Sequence, residues 1–251
     1  MAGSYAEVNG LKMYYEVHGT GKALVLLHGA FGTVETWEGY LPELVKTHQV
    51  VVVELQGHGH TGDVDRPLRF TQMADDVATL LEHLQVREAD ILGYSMGGTV
   101  ALALAIAHPH LVGSVAVLGA GAGSSKDTFT PEAYAQMQSI VPEQFNFPQV
   151  KDPYTRVAPD PSKWTELVSK VLALDEEFLG FDAAALASIP TRTLLIVGDR
   201  DGLRVEHVVE CYRLIPNAQL AVLPNADHFY HLIEAKVLAL LSAFWATPSS
   251  L

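Results

Sequence analysis

Ser95 stands between glycines in Gly93-Tyr94-Ser95-Met96-Gly97, at the point where an apolar run gives way to a helical pattern. A serine in a sharp strand-to-helix turn, with little bulk on either side, projects its hydroxyl outward and sits at the positive end of the helix dipole. That hydroxyl is a weak nucleophile unless a neighbouring base takes its proton. Two later stretches offer the missing groups: "GDRDG" (198–202) supplies Asp199 and Asp201, and "NADHFYH" (225–231) supplies His228 and His231. Serine, acid and histidine therefore occur in that order, and each lies just past an apolar run. The chemistry this permits is nucleophilic attack on a carbonyl carbon, with the histidine as proton carrier.

Such residues meet only if the elements before them lie side by side. Runs at 12–17, 23–28, 49–55, 89–93, 114–119, 192–198 and 218–224 read as strands. Those from Ala23 onward are continuously apolar, the mark of strands covered on both faces. Helical patterns alternate with them: 70–86, with an N-cap expected at Thr71, then 96–108, 205–215 and a closing helix from Phe229. This order predicts an α/β fold, a mostly parallel central sheet flanked by helices, in which loops beyond the carboxyl ends of the strands carry the site. Residues 120–188 break the alternation with helical stretches and prolines but no strand. They read as a helical lid inserted into one domain that spans 1–251.

The combination resembles the α/β-hydrolase fold family, in particular its small cap-bearing esterases and lactonases, over nearly the whole chain. The resemblance rests on "HGAFG" (28–32), "ELQGHGHT" (54–61), "GYSMGG" (93–98), "GDRDG" (198–202) and "NADH" (225–228). It implies Ser95 as nucleophile, His228 as general base in preference to His231, and Asp201 rather than Asp199 as the acid that orients His228. It also implies an oxyanion hole made by the backbone N–H groups of Met96 and of Ala30, with Phe31 as second choice for the latter, and an orienting role for His28. Serine at position 95, where related dehalogenases and epoxide hydrolases carry aspartate, points to an acyl-enzyme. Hydrolysis of a carboxylic ester or lactone is the leading expectation. The same triad also serves thioesterases, carbon–carbon bond hydrolases and perhydrolases, and a non-catalytic binding protein of this fold is the reading from another class.

No cofactor or metal is expected. His58, His60, Asp63 and Asp65 have a metal-like spacing, yet Thr61 and Gly62 stand where such a motif needs an acid and a further histidine. Phe31, Trp37, Tyr94 and Phe229 flank the motif positions and are expected to line a substrate pocket. Phe129, Tyr134, Met137, Phe145 and Trp164 join them from the lid. A net charge of −13 argues against nucleic acid or an anionic membrane surface as partner, and a lid rich in aromatics favours a small hydrophobic ester-like substrate. The single cysteine, Cys211, and an N-terminus with neither basic flank nor apolar stretch point to a cytoplasmic protein.

Overall fold

The computed structural model describes residues 3–230 and 233–246; His231 lies outside them. Eight strands form one sheet: β1 (Ser4–Val8), β2 (Leu11–Gly19), β3 (Lys22–Leu27), β4 (His48–Val53), β5 (Ala89–Tyr94), β6 (Val112–Leu118), β7 (Arg192–Gly198) and β8 (Ala218–Leu223). Their spatial order is β1-β2-β4-β3-β5-β6-β7-β8. β1 and β2 pair antiparallel, as do β2 and β4; every pairing from β4 through β3 to β8 is parallel. The helices are α1 (Leu41–Leu44), α2 (Phe70–His83), α3 (Met96–Ala107), α4 (Ser125–Thr128), α5 (Pro131–Gln138), α6 (Pro148–Val157), α7 (Trp164–Glu177), α8 (Ala183–Ala187), α9 (Val205–Leu214) and α10 (Glu234–Ala246). No described helix is long and apolar enough to cross a membrane.

The uninterrupted apolar strands are explained by two cores, one on each face. In β3, Val25 and Leu27 join the core that holds α2 and α3, whereas Leu24 and Leu26 join the one that holds Trp37, Tyr40 and α10. Successive side chains point to opposite faces, so a strand covered on both sides has no place for a polar alternation. α3 is buried on almost every side, which is why "MGGTVALALAIA" lacks a polar stripe.

Four features depart from the sequence expectation. The chain opens with the short strand β1, which the sequence pattern did not reveal. β8 is an edge strand with a half-exposed face, so its apolar run does not mark burial on both sides. α2 starts at Phe70, and its N-cap residue Arg69 gives no side-chain bond, so Thr71 is inside the helix. α10 begins at Glu234, because Phe229 and Tyr230 belong to the loop that follows β8.

Between β6 and β7 the chain runs through α4 to α8. The two ends of this segment are tied together by an isolated bridge between Gly123 and Gly180 and by the Phe181 N–H donating to the Ala122 carbonyl at 2.8 Å. The helices between those ties stand over the carboxyl ends of the central strands, where Phe129, Val171, Asp175 and Phe178 share a cavity wall with Ser95.

Candidate active site

Ser95 ends β5 and begins α3. Its backbone lies at φ 51°, ψ −122°, a region an L residue occupies only when the surroundings force it. The Ser95 N–H donates to the Leu118 carbonyl of β6 at 2.9 Å, and the Ser95 carbonyl accepts from Gly98 N–H at 2.8 Å. Such a turn demands close backbone approach. A Cβ at Gly97 would stand 2.2 Å from the Leu27 carbonyl oxygen, and one at Gly93 would stand 2.2 Å from the Gly97 oxygen. The glycines quoted from the sequence are thus required by crowding, and the crowding holds the Ser95 hydroxyl at the end of the sheet.

His228 Nε2 lies 3.0 Å from Ser95 Oγ, and His228 Nδ1 lies 3.0 and 3.1 Å from the two carboxylate oxygens of Asp201. Asp201 follows β7 and His228 follows β8, and these strands are neighbours in parallel register. The Asp201 carboxylate also accepts from the Leu203 N–H at 3.1 Å and from the Tyr230 hydroxyl. Burial pushes its pKa up. The hydrogen bonds from His228, Tyr230 and Leu203 outweigh that effect and hold the carboxyl below the usual carboxylate range. Asp199 is directed elsewhere and accepts from the Ala226 N–H at 3.3 Å, fastening the loop after β8.

Three tyrosines brace that loop. The Tyr230 hydroxyl accepts from the Gly198 N–H at 2.8 Å while donating to Asp201, so one buried side chain joins the end of β7 to the acid. The Tyr40 hydroxyl donates to the Tyr230 carbonyl at 2.9 Å, and the Tyr94 hydroxyl donates to the His228 carbonyl at 2.8 Å. Burial raises the pKa of all three phenols well above the usual tyrosine value, which keeps them protonated as donors. Nothing in the sequence reading anticipated Tyr230 or Tyr40. The only local sign was an aromatic two positions after His228.

The loop at 28–32 is shaped by His28. Its Nδ1–H donates to the Gly29 carbonyl at 2.7 Å, and its Nε2 accepts from the Leu55 N–H at 3.1 Å, which fixes the tautomer. Burial, with a smaller effect from neighbouring His58, lowers the His28 pKa to about 3, so the ring is neutral. Gly29 also accepts from Gly32 N–H at 3.0 Å, closing a tight turn that presents Ala30. Ala30 and Met96 line the cavity beside Ser95. Met96 opens α3, where first-turn amides have no partner within the helix.

The loop carrying His58 and His60 has structural bonds of its own. His58 Nδ1 donates to the Gln56 carbonyl at 2.9 Å. Glu54, fully buried, accepts from the Val34 N–H at 3.0 Å and from the His60 backbone and ring. The Thr61 hydroxyl, meanwhile, donates to the Glu54 carbonyl at 2.8 Å.

Two cavities meet at Ser95. The narrower, about 70 Å³, is lined by Ala30, Met96, Thr99 and Phe70 from the core and by Phe129, Val171, Asp175 and Phe178 from the helical segment. The wider, about 650 Å³, holds His228 and Asp201 on one side and Phe129, Met137, Ile140 and Phe145 on the other. Of the residues expected at the pocket from the helical segment, Phe129, Met137 and Phe145 reach it, whereas Tyr134 and Trp164 do not. Phe31, Trp37, Tyr94 and Phe229 line neither cavity. Trp37 is in the core on the α10 side, facing a void of about 10 Å³ with Tyr40, Tyr94 and Tyr230. Tyr94 serves as a brace, and the Phe229 ring is more than half exposed on the outer side of its loop. Phe31 has φ 63° and packs against Phe145 and Trp164, with ring centroids 5.0 and 5.4 Å away, coupling the loop at 28–32 to the helical segment.

The model of the Alpha/beta hydrolase family matches residues 24–239. This chain belongs to that family. Among curated family members, the putative carbamate hydrolase RutD of Azorhizobium caulinodans is 26% identical, covering 93% of this chain and 94% of its own length. Three further curated relatives match about half of this chain and less than half of their own length. Among solved structures, Est816, described as an N-acyl homoserine lactone degrading enzyme, is 26% identical with a TM-score of 0.77, covering 96% of this chain and all (100%) of that one. The meta-cleavage product hydrolase CumD of Pseudomonas fluorescens has a TM-score of 0.80 at 19% identity, covering 97% of each chain, and shares the fold.

Proposed function

We propose that this chain is a serine hydrolase that cleaves a carboxylic ester or lactone through an acyl-enzyme. The observation that carries the reading is the continuous line of hydrogen bonds from Ser95 Oγ through both nitrogens of His228 to Asp201. His228 Nε2 takes the hydroxyl proton as Ser95 Oγ bonds to the carbonyl carbon. The carbonyl oxygen gains the negative charge and is held by the N–H groups of Met96 and Ala30, each such donor being worth about 10²–10³ in rate. The imidazolium, steadied by Asp201, then gives its proton to the leaving alkoxide, which departs through the wider cavity that His228 lines. Water enters by the same route, loses a proton to His228 and attacks the acyl carbon. Ser95 leaves with that proton and the acid is released.

Two relatives over most of the chain carry names that point to lactone and carbamate substrates. Carbamate cleavage is a second reading, favoured by the small size of the cavity beside Ala30 and Met96. The test is intact-mass spectrometry after exposure to a fluorophosphonate, which needs the base and oxyanion donors but no particular substrate. One adduct per chain, absent in Ser95→Ala, is expected. Folded wild-type protein that takes no adduct would overturn the reading.

A further inference from the structure

The narrower cavity beside Ser95 is almost wholly apolar in what it offers a substrate. Its hydroxyls are already committed to backbone carbonyls: Thr99 to Gly121 at 3.0 Å, Ser125 to Asp175 at 2.7 Å and Thr128 to Gly123 at 3.1 Å. Asp175 is different. It lines both cavities, together with Ser95 and Phe129, so it stands at their junction. Its carboxyl makes no hydrogen bond or ion pair with any described residue, and neither cavity is lined by a lysine or arginine. The carboxyl is held in place all the same, since α7 is anchored there by the Ser125 hydroxyl bonding to the Asp175 carbonyl and by Val171 and Leu174 in the core.

An unpaired carboxyl against Phe70, Phe129, Val171 and Phe178 costs stability unless something bonds to it. Burial pushes its pKa up to about 7. In either protonation state it retains a lone pair that can accept from a donor. An anionic group in the acyl chain would meet this carboxyl with no cation to offset it, which disfavours dicarboxylate half-esters. The volume narrows the choice further. An apolar cavity of about 150 Å³ takes a benzene ring, so one of this size takes roughly three non-hydrogen atoms.

We infer that Asp175 is a specificity-determining residue that accepts a hydrogen bond from an O–H or N–H group on a short acyl chain, such as a hydroxyacyl or carbamoyl group, while that acyl group is bonded to or approaching Ser95. The inference rests on the acyl-enzyme reading above and gives its substrate class. An aspartate carried in on the helical segment thereby reads the acyl group that the sheet residues cleave.

The experiment compares kcat/KM for p-nitrophenyl glycolate and p-nitrophenyl propionate, which differ by a hydroxyl in place of a methyl. It uses wild type, Asp175→Leu and Asp175→Ala. The intrinsic reactivities of the two esters cancel when the glycolate-to-propionate ratio is compared between proteins. That ratio should fall about tenfold in both variants, the effect of losing one hydrogen bond to a carboxyl group. Asp175→Ala carries the same comparison should the leucine variant fail to fold. A ratio within twofold of wild type in the folded variants overturns the inference. So does a labelled wild type that hydrolyses neither ester, because a pocket of this size must admit both. Fluorophosphonate labelling of wild type separates the two failures: a labelled protein with an unchanged ratio refutes only the role of Asp175, whereas an unlabelled one refutes the hydrolase reading itself.

Discussion

Tyr230→Phe removes one oxygen atom and tests whether the acid is positioned by the loop that carries the base. That oxygen serves two buried groups, accepting from Gly198 N–H at 2.8 Å and donating to an Asp201 carboxylate oxygen. A hydrogen bond to a charged group contributes about 1.5–3 kcal/mol, and a buried amide left without a partner costs about 1–3 kcal/mol. The two effects share one atom and overlap, so a loss of about 2–4 kcal/mol is expected, which lowers the melting temperature by roughly 5–15 °C for a chain of this length. The Phe ring still fills the space above Gly119, and Tyr40 still holds the residue-230 carbonyl, so the fold persists. The rate should suffer less than stability. Asp201 keeps the Leu203 N–H and His228, so kcat should drop about tenfold, well short of the ~10⁴ seen when a triad acid is neutralised.

The pH response gives this variant a second readout. Asp201 is held below the ordinary carboxylate range, so its contribution to stability is present above the unfolded pKa and is lost as pH falls through the lower folded value. Removing a donor raises the folded value, and acid unfolding should begin at higher pH than in wild type. Thermal melts from pH 3 to 8, with initial rates on a p-nitrophenyl ester, read all three effects. Wild-type melting and wild-type rate in Tyr230→Phe would refute the argument that this hydroxyl holds the acid. A 10⁴-fold loss of rate would refute it differently, by making the hydroxyl part of the proton path.

Two other perturbations separate backbone crowding from cavity electrostatics. Gly97→Ala places a Cβ 2.2 and 2.5 Å from the carbonyl oxygens of Leu27 and His28, backbone atoms that cannot swing away. A loss of about 3 kcal/mol or outright failure to fold is expected by urea titration, and a wild-type midpoint would show that the turn has slack. Asp175→Leu should stabilise the protein, in a pH-dependent way. The raised folded pKa, about 7, means that the wild-type carboxyl costs little below the unfolded pKa and most above pH 7. The variant's advantage should therefore grow between pH 4 and pH 8 to on the order of 1–3 kcal/mol, and a flat difference across that range would contradict it.

Ser95, Asp201 and His228 are legible in the chain because each follows its strand by a few residues. The strand–turn–helix at 89–107 is written in local terms: apolar residues in, glycines where carbonyls crowd, apolar residues out. The parallel sheet is legible for the same reason, since burial on both faces leaves an unbroken apolar run, although the edge position of β8 shows that such a run does not prove burial. Which polar groups meet was decided only by tertiary structure. Tyr40 and Tyr94 bond to carbonyls 190 and 134 positions away, and Trp37, near the motifs in sequence, packs on the far face of the sheet. Asp175 gives no local signal at all: it is one acid in an acidic stretch of a helix, and only the docking of that helix over Ser95 places it, half-buried, at the junction of the two cavities. Sequence specifies what the backbone must do locally. A buried polar group takes its meaning from whichever elements the fold packs against it, and those lie far away along the chain.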